Sequence, residues 1–220
     1  MLIANQKFNK INPVWILSIP RSGSSMVVNF LNNTNLFHPK FREFNLDYEE
    51  KEQILKNLPK FIKLQRIFFE AKGFSDKVDK EKILKKFPNI RFIVTQRKNL
   101  YEQTVSRYFA DYSKVWFIGN KKELEEYKKI KIPFNEKELI RLYNENLRHE
   151  NCWDDFISDT KNIKLYYEDI LKNKKNFLGK ILHFLNLKVN LESAINEITS
   201  LKLQRKETEE YVCKLIKLIN

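Results

Sequence analysis

The sequence predicts an α/β fold of three layers, α/β/α, with helices on both faces of a central parallel sheet of about four strands. Three observations predict it. Four short β-branched or aromatic runs occur, Val14–Ser18, Ile67–Ala71, Arg91–Thr95 and Ile163–Tyr167, each continuous enough to be buried on both faces. Helical patterns separate them, which implies right-handed crossovers between parallel strands. Only 4 Gly and 6 Pro punctuate the 220 residues, so long helices are expected and flexible linkers are not. With no internal repeat and no low-complexity stretch, one domain over 1–220 is expected.

Taken in order, the first run leads through a small-residue turn into an apolar helix at Met26–Leu31. Tyr48–Leu64 is acidic at its start and basic at its end, which suits the helix dipole. Leu100–Tyr112 follows the third run, Glu136–Ile157 and Ile170–Leu187 flank the fourth, and Glu207–Ile219 closes the chain. In folds of this class ligands sit beyond the carboxyl ends of the strands, so the turns after them carry the functional argument.

Composition bounds that function. Hydrophobic residues make up 42% and charged residues 31%, the balance of a soluble globular chain. No apolar run approaches the ~20 residues of a membrane-spanning helix, and the N-terminus has no signal-peptide pattern. Cys152 and Cys213 give neither a disulfide framework nor zinc spacing, so a cytoplasmic setting is expected. Lys+Arg number 41 against 28 Asp+Glu, a net charge of +13, which favours an anionic partner. The lysines are scattered through helical stretches with glutamates nearby, so part of this charge only solvates the surface.

The first turn, Ile19-Pro20-Arg21-Ser22-Gly23-Ser24-Ser25, joins a strand to a helix N-terminus. Such a junction cradles phosphate: Gly23 permits close backbone approach, and free N–H groups from about Ser22 to Met26 point at the anion. Ser24 and Ser25 add hydroxyls, and Arg21 adds a permanent charge. The G-x-x-x-x-G-K-[ST] pattern of P-loop hydrolases is absent, which disfavours a Mg-nucleotide hydrolase. By itself the stretch also reads as a surface turn with a capped helix.

In the second junction Arg97 stands at the carboxyl end of a strand, and Ser106 shares a helical stripe with Gln103. An arginine and a hydroxyl can hold a second phosphate; read alone, they are more readily a helix-entry surface charge and a tolerated helical serine.

Together the two junctions resemble the sulfotransferase family, and the stretch Gln103–Trp116 (QTVSRYFADYSKVW) most resembles its bacterial Stf0-type branch. PRSGSS is also similar to the carbohydrate sulfotransferases. Glu150–Phe156 followed by Leu165–Ile170 resembles a W-x-x-F then Y-E-D-L segment, and Phe184–Leu187 stands where F-L-G-L is found, with Asn186 replacing glycine. Gln204–Val212 is similar to the C-terminal helix of the Stf0-type branch. The resemblance spans Val14 to Tyr211.

It implies a P-loop-like nucleotide-binding fold and 3′-phosphoadenosine 5′-phosphosulfate (PAPS) as co-substrate, with no metal. On this resemblance Arg21, Ser22, Gly23, Ser24 and Ser25 hold the 5′-phosphosulfate, and Arg97 and Ser106 hold the 3′-phosphate, with Arg205 and Lys206 reaching that side. Arg97 precedes Ser106 by one residue more than the commonest family spacing, so Lys98 is a second choice for the cation.

Sulfuryl transfer is an in-line displacement whose catalysis is positioning and electrostatics. Arg21 is the expected stabiliser of the leaving phosphate oxygen. Glu43, in a segment that resembles the P-x-E-Y-F stretch of the Stf0-type branch, is the expected base, with His38 its substitute. Trp116 either stacks on adenine, shapes an acceptor pocket or belongs to the core. Lys72 at a strand end, and His149 and His183 in helices, read as solvated or packing residues.

The acceptor expected is a hydroxyl of a carbohydrate, glycolipid or other small molecule. No nucleic-acid partner is expected on this reading, and a homodimer is left open. The alternative is a non-catalytic protein of the same fold that binds an acidic glycan or nucleic acid through its positive face.

Overall fold

The computed structural model describes residues 14–34, 43–44, 64–68, 80–189 and 205–220. Within them lies a five-stranded sheet, β1 (Val14–Ser18), β2 (Glu43–Phe44), β3 (Leu64–Phe68), β4 (Arg91–Gln96) and β5 (Asn162–Tyr166), in the order β2-β3-β1-β4-β5. Every neighbouring pair is parallel. The extra strand is the two-residue β2 at one edge.

The third expected run, which is β4, and the first, which is β1, begin and end as expected to within a residue. The second expected run is corrected: β3 covers Leu64–Phe68 and not 67–71. Its bounds follow the partner, because parallel pairing sets Leu64 opposite Val14 and Phe68 opposite Ser18. The expected helix over 48–64 lies outside the described residues except for Leu64, which opens β3.

The described helices are α1 (Ser24–Asn33), α2 (Lys80–Lys86), α3 (Leu100–Ser113), α4 (Lys121–Lys129), α5 (Glu136–Ile157), α6 (Tyr167–Lys172), α7 (Lys174–Leu185) and α8 (Thr208–Ile219). The single helix expected over 170–187 is two. Asn173 breaks it with an extended backbone, its side-chain oxygen accepting from the Asn176 N–H at 2.9 Å to cap α7. Asparagine competes with the helix in this way and is therefore favoured at its start. Asn99, Asn120 and Asn135 cap α3, α4 and α5 by the same bond. Asn186 ends α7 in the left-handed conformation, φ 55°, with the Leu187 N–H reaching the Leu182 carbonyl. Asparagine tolerates the position that glycine usually fills.

Strand alternation gives the sheet two buried faces. Val14, Ile16, Ile93 and Leu165 pack on α1, α6 and α7. Trp15, Leu17, Phe92 and Val94 pack on Trp153, Phe156 and Ile157 of α5. A third core joins α3, α5 and α8 through Val105, Phe109, Leu139, Leu142, Tyr211 and Leu215.

The sheet order sets the site. After β1 the described strands add on one side as β3 and β2, and the chain then crosses to β4 on the other, so β1 and β4 flank the switch point. Their last paired residues, Ser18 and Thr95, stand side by side, so the turns that follow are neighbours.

Candidate anion-binding site at three strand ends

The turn after β1 has a left-handed backbone at two residues, Arg21 (φ 67°) and Gly23 (φ 88°). Glycine adopts this freely, but an arginine held there stores on the order of 1 kcal/mol of strain. The strain is held by contacts made across the sheet. The Arg21 Nε–H donates to the Ser106 Oγ of α3 at 3.0 Å, and its Nη1 donates to the Trp116 carbonyl at 2.7 Å. Nη2 has no hydrogen-bond partner among the described residues.

Two further bonds tie this turn to β4 and α3. The Ser22 and Thr95 hydroxyls lie 2.7 Å apart, both buried. The Gln103 Nε2 donates to the Pro20 carbonyl at 2.8 Å, while its buried Oε1 has no hydrogen-bond partner among the described residues. Beyond Gly23 the chain enters α1; the Ser22 N–H donates to the Ile19 carbonyl at 3.3 Å and the Met26 N–H to the Gly23 carbonyl at 3.0 Å, so neither is the free donor that the sequence suggests.

A third strand end closes the arrangement. Tyr167, the first residue of α6 after β5, lies beneath the glycine turn; a Cβ on Gly23 would meet its Cδ2 at 2.9 Å. The Arg97 guanidinium stacks on the same ring, 4.7 Å from its centre. Arg97 is itself held by two carboxylates, its Nη2 at 2.9 Å from Glu102 and its Nε at 3.4 Å from Glu168. Its neighbour Lys98 reaches outward to Asp169 at 2.6 Å.

Burial lowers the Arg21 pKa from its ordinary value; Tyr127 and Tyr167 oppose that shift, and nearby Arg97 adds to it. An arginine remains charged under such shifts, so the pocket keeps two cations close together. Burial likewise pushes the Tyr127 phenol up, against Arg205 and Arg21.

No family model matches the chain, and no curated protein does. Among solved structures it is similar to mouse sulfotransferase SULT7A1 complexed with PAP, with a TM-score of 0.54 and 17% identity over 85% of this chain and 62% of that one. It is also similar to retinol dehydratase in complex with androsterone and inactive cofactor PAP, with a TM-score of 0.59 and 14% identity over 94% of this chain and 79% of that one. Sulfotransferase STF9 from Mycobacterium avium gives 0.52 and 14% over 95% and 75%. The chain has the sulfotransferase fold. It spans only 62% of the length of SULT7A1.

On this sulfotransferase fold the expected site residues are distributed unevenly. Arg21, Ser22, Gly23, Ser106 and Arg97 converge as described. Ser24 is buried at the start of α1 and Ser25 is exposed beside it. Lys98, the second choice, points to solvent with Asp169.

Arg205 is a correction. Its guanidinium is buried beneath Tyr127 and Phe109 and donates to the Tyr127 carbonyl at 2.7 Å and to the Ile130 carbonyl at 2.5 Å. These carbonyls end α4, and a helix end needs such donors; the side chain is committed to α4, not to a ligand. Trp116 is 44% exposed and so is not a core residue. His149 is buried between α5 and its neighbours, and His183 is exposed on α7.

Glu43 lies in β2, its backbone level with Arg66 of β3, which is level with Ile16 of β1. That is two strands, or about 10 Å, from β1, and two residues short of its carboxyl end. His38 and Lys72 lie outside the described residues.

Thr95 and Tyr127 carry no sequence motif that marks them, and Tyr167 lies in the segment that resembles Y-E-D-L, which assigns it no role. Their signal was the strand-end position of Thr95 and Tyr167, available only once the strand bounds are fixed. Among the described residues no group of three or more His, Cys, Asp or Glu is arranged to hold a metal, and no helix is long and apolar enough to cross a membrane.

Proposed function

We propose that the chain is a PAPS-dependent sulfotransferase, one domain over 1–220, acting on a hydroxyl of a carbohydrate or glycolipid in a cytoplasmic setting. One observation carries the reading: the 3.0 Å bond from Arg21 to Ser106, which joins the glycine turn to the second strand–helix junction. The donor set suits a doubly anionic nucleotide, with two guanidiniums, buried hydroxyls and a helix N-terminus around one ring.

The nucleotide supplies the sulfuryl group and its phosphate leaving group. The chain's own residues orient and neutralise. Arg21 is poised to take the charge that builds on the leaving oxygen, with its Nη2 unengaged and its position fixed by Ser106 and Trp116. Ser22, Gly23, Ser24, Ser25 and the start of α1 hold the same anion, and Arg97 with Ser106 holds the far phosphate. Glu43 or His38 takes the proton from the acceptor hydroxyl. The exposed Trp116, beside Arg21, forms one wall for the acceptor.

The test is a thermal shift with 3′-phosphoadenosine 5′-phosphate, followed by PAPS-dependent sulfate transfer to a carbohydrate panel. The nucleotide raises Tm by mass action on the folded state, and Arg21→Ala abolishes the shift and the transfer. No shift at millimolar nucleotide overturns the reading. A non-catalytic protein of this fold is favoured instead if the nucleotide binds but no acceptor turns over.

A further inference from the structure

We infer that Glu168 is a positioning residue: from the start of α6 it orients Arg97 and fixes the β4–α3 turn. The inference rests on the nucleotide reading above only for its ligand. One carboxylate serves two consecutive residues. Its Oε2 accepts the Lys98 backbone N–H at 2.9 Å, and its Oε1 accepts the Arg97 Nε–H at 3.4 Å.

The other carboxylate on Arg97, Glu102, belongs to the same turn. It is held by the Asn99 cap, whose Nδ2 donates to Oε1 at 3.2 Å. Glu102 therefore fixes the guanidinium only relative to its own helix. Glu168 comes from the end of the neighbouring strand, β5, and it is followed in the same helix by Asp169, which takes the Lys98 ammonium. Tyr167, immediately before Glu168, is the ring beneath both Arg97 and Gly23. Through this pair of residues the β5–α6 junction sets the distance between the two cations of the pocket.

With Nε and Nη2 engaged, Arg97 has Nη1 left to offer a ligand. A guanidinium fixed on two sides loses little rotamer entropy on gripping a phosphate. A freed one has to be ordered again at binding. The consequence is specific: the loss falls on the phosphate that Arg97 contacts and not on the nucleotide as a whole.

The experiment compares wild type, Glu168→Ala and Glu168→Gln by titration with 3′-phosphoadenosine 5′-phosphate and with adenosine 5′-phosphate, which lacks the 3′-phosphate. Glu168→Ala is expected to weaken the bisphosphate about tenfold and the monophosphate less than about twofold. Glu168→Gln, whose amide offers one acceptor oxygen for the two N–H groups that Glu168 serves, recovers only part of the loss. In an Arg97→Ala background Glu168→Ala adds nothing.

A second measurement needs no nucleotide. The Arg97 Nε–H proton resonance, assigned by its loss in Arg97→Lys, is protected from exchange in wild type and is lost in Glu168→Ala. Equal weakening of both nucleotides, tighter bisphosphate binding in Glu168→Ala, or an unchanged Nε–H resonance overturns the inference. If wild type fails to distinguish the two nucleotides, the donor reading fails, and the resonance alone decides the role of Glu168.

Discussion

Arg21 and Arg205 are both arginines lying close to Tyr127, yet the regions around them are built on opposite terms. Arg205 belongs to the flank of α3, α4, α5 and α8, where its nitrogens end α4 on two carbonyls and its face lies against Phe109 and Tyr127. Arg21 belongs to the turns above the sheet, with left-handed backbone, one hydroxyl and one carbonyl as partners, and one nitrogen unengaged. The first region commits two of the three Arg205 nitrogens to its own backbone, the buried Nε making no hydrogen bond among the described residues, and gains stability. The second holds strain and open donors, which is the condition for binding something else.

Substitutions can break that contrast. The largest effect is expected from Arg205→Met, which removes the side-chain donor to the Ile130 carbonyl and leaves the Tyr127 carbonyl only the Ile130 N–H; chemical denaturation should show a loss of about 3 kcal/mol. Gly23→Ala comes next at about 2 kcal/mol, because φ is 88° and the new Cβ would press on Tyr167. Its loss of nucleotide-induced Tm shift is expected to exceed what the stability change accounts for.

A smaller effect separates two adjacent residues of α5. Glu150, with Oε1 buried and unpartnered, is pushed up to about 7 by burial first and then by Asp154, with Lys164 opposing. His149 is held down to about 4 by burial first, with Arg107 and Arg148 adding and Glu145 opposing. Between pH 4.5 and 7 the folded chain keeps a proton at Glu150 that the unfolded chain releases, so stability falls as pH rises. Between about pH 4 and 6.5 the unfolded chain binds a proton at His149 that the folded one refuses, so stability rises. The two slopes oppose, and denaturation midpoints of wild type should vary little in their shared window. Glu150→Gln unmasks a rising slope and His149→Gln a falling one, each on the order of 1 kcal/mol.

The smallest change is expected from Arg21→Gly. Relief of the left-handed strain offsets the two lost hydrogen bonds, so stability shifts by less than about 1 kcal/mol while the nucleotide response disappears. A loss as large as that of Arg205→Met would erase the distinction between the two regions.

The flank and the strands were largely legible because their causes are local. The bounds of α5 follow from the apolar spacing between Asn135 and Ser158, and β1 from an unbroken apolar run. The turn after β1 was legible as a motif. Arg205 was misread because a basic residue before a helix looks alike whether it meets a ligand or a helix end; only the fold brings Tyr127 and Ile130 to it. β3 was placed three residues late because its bounds are set by β1 across the sheet. α4 was missed because its sequence KKELEEYKK has a single buried side chain, Tyr127, and so almost no apolar period to read. Tyr167 and Glu168 stand in the segment that resembles Y-E-D-L, but their contacts with Gly23 and Arg97 follow only from the fold, where three strand ends meet.

The contact between Gly23 and Tyr167 also constrains how the chain can vary over descent. A side chain at position 23 requires room at 167, yet shrinking the ring removes the surface on which Arg97 rests. Among descendants that retain the pocket, these positions, distant in the chain, are expected to be inherited as a pair.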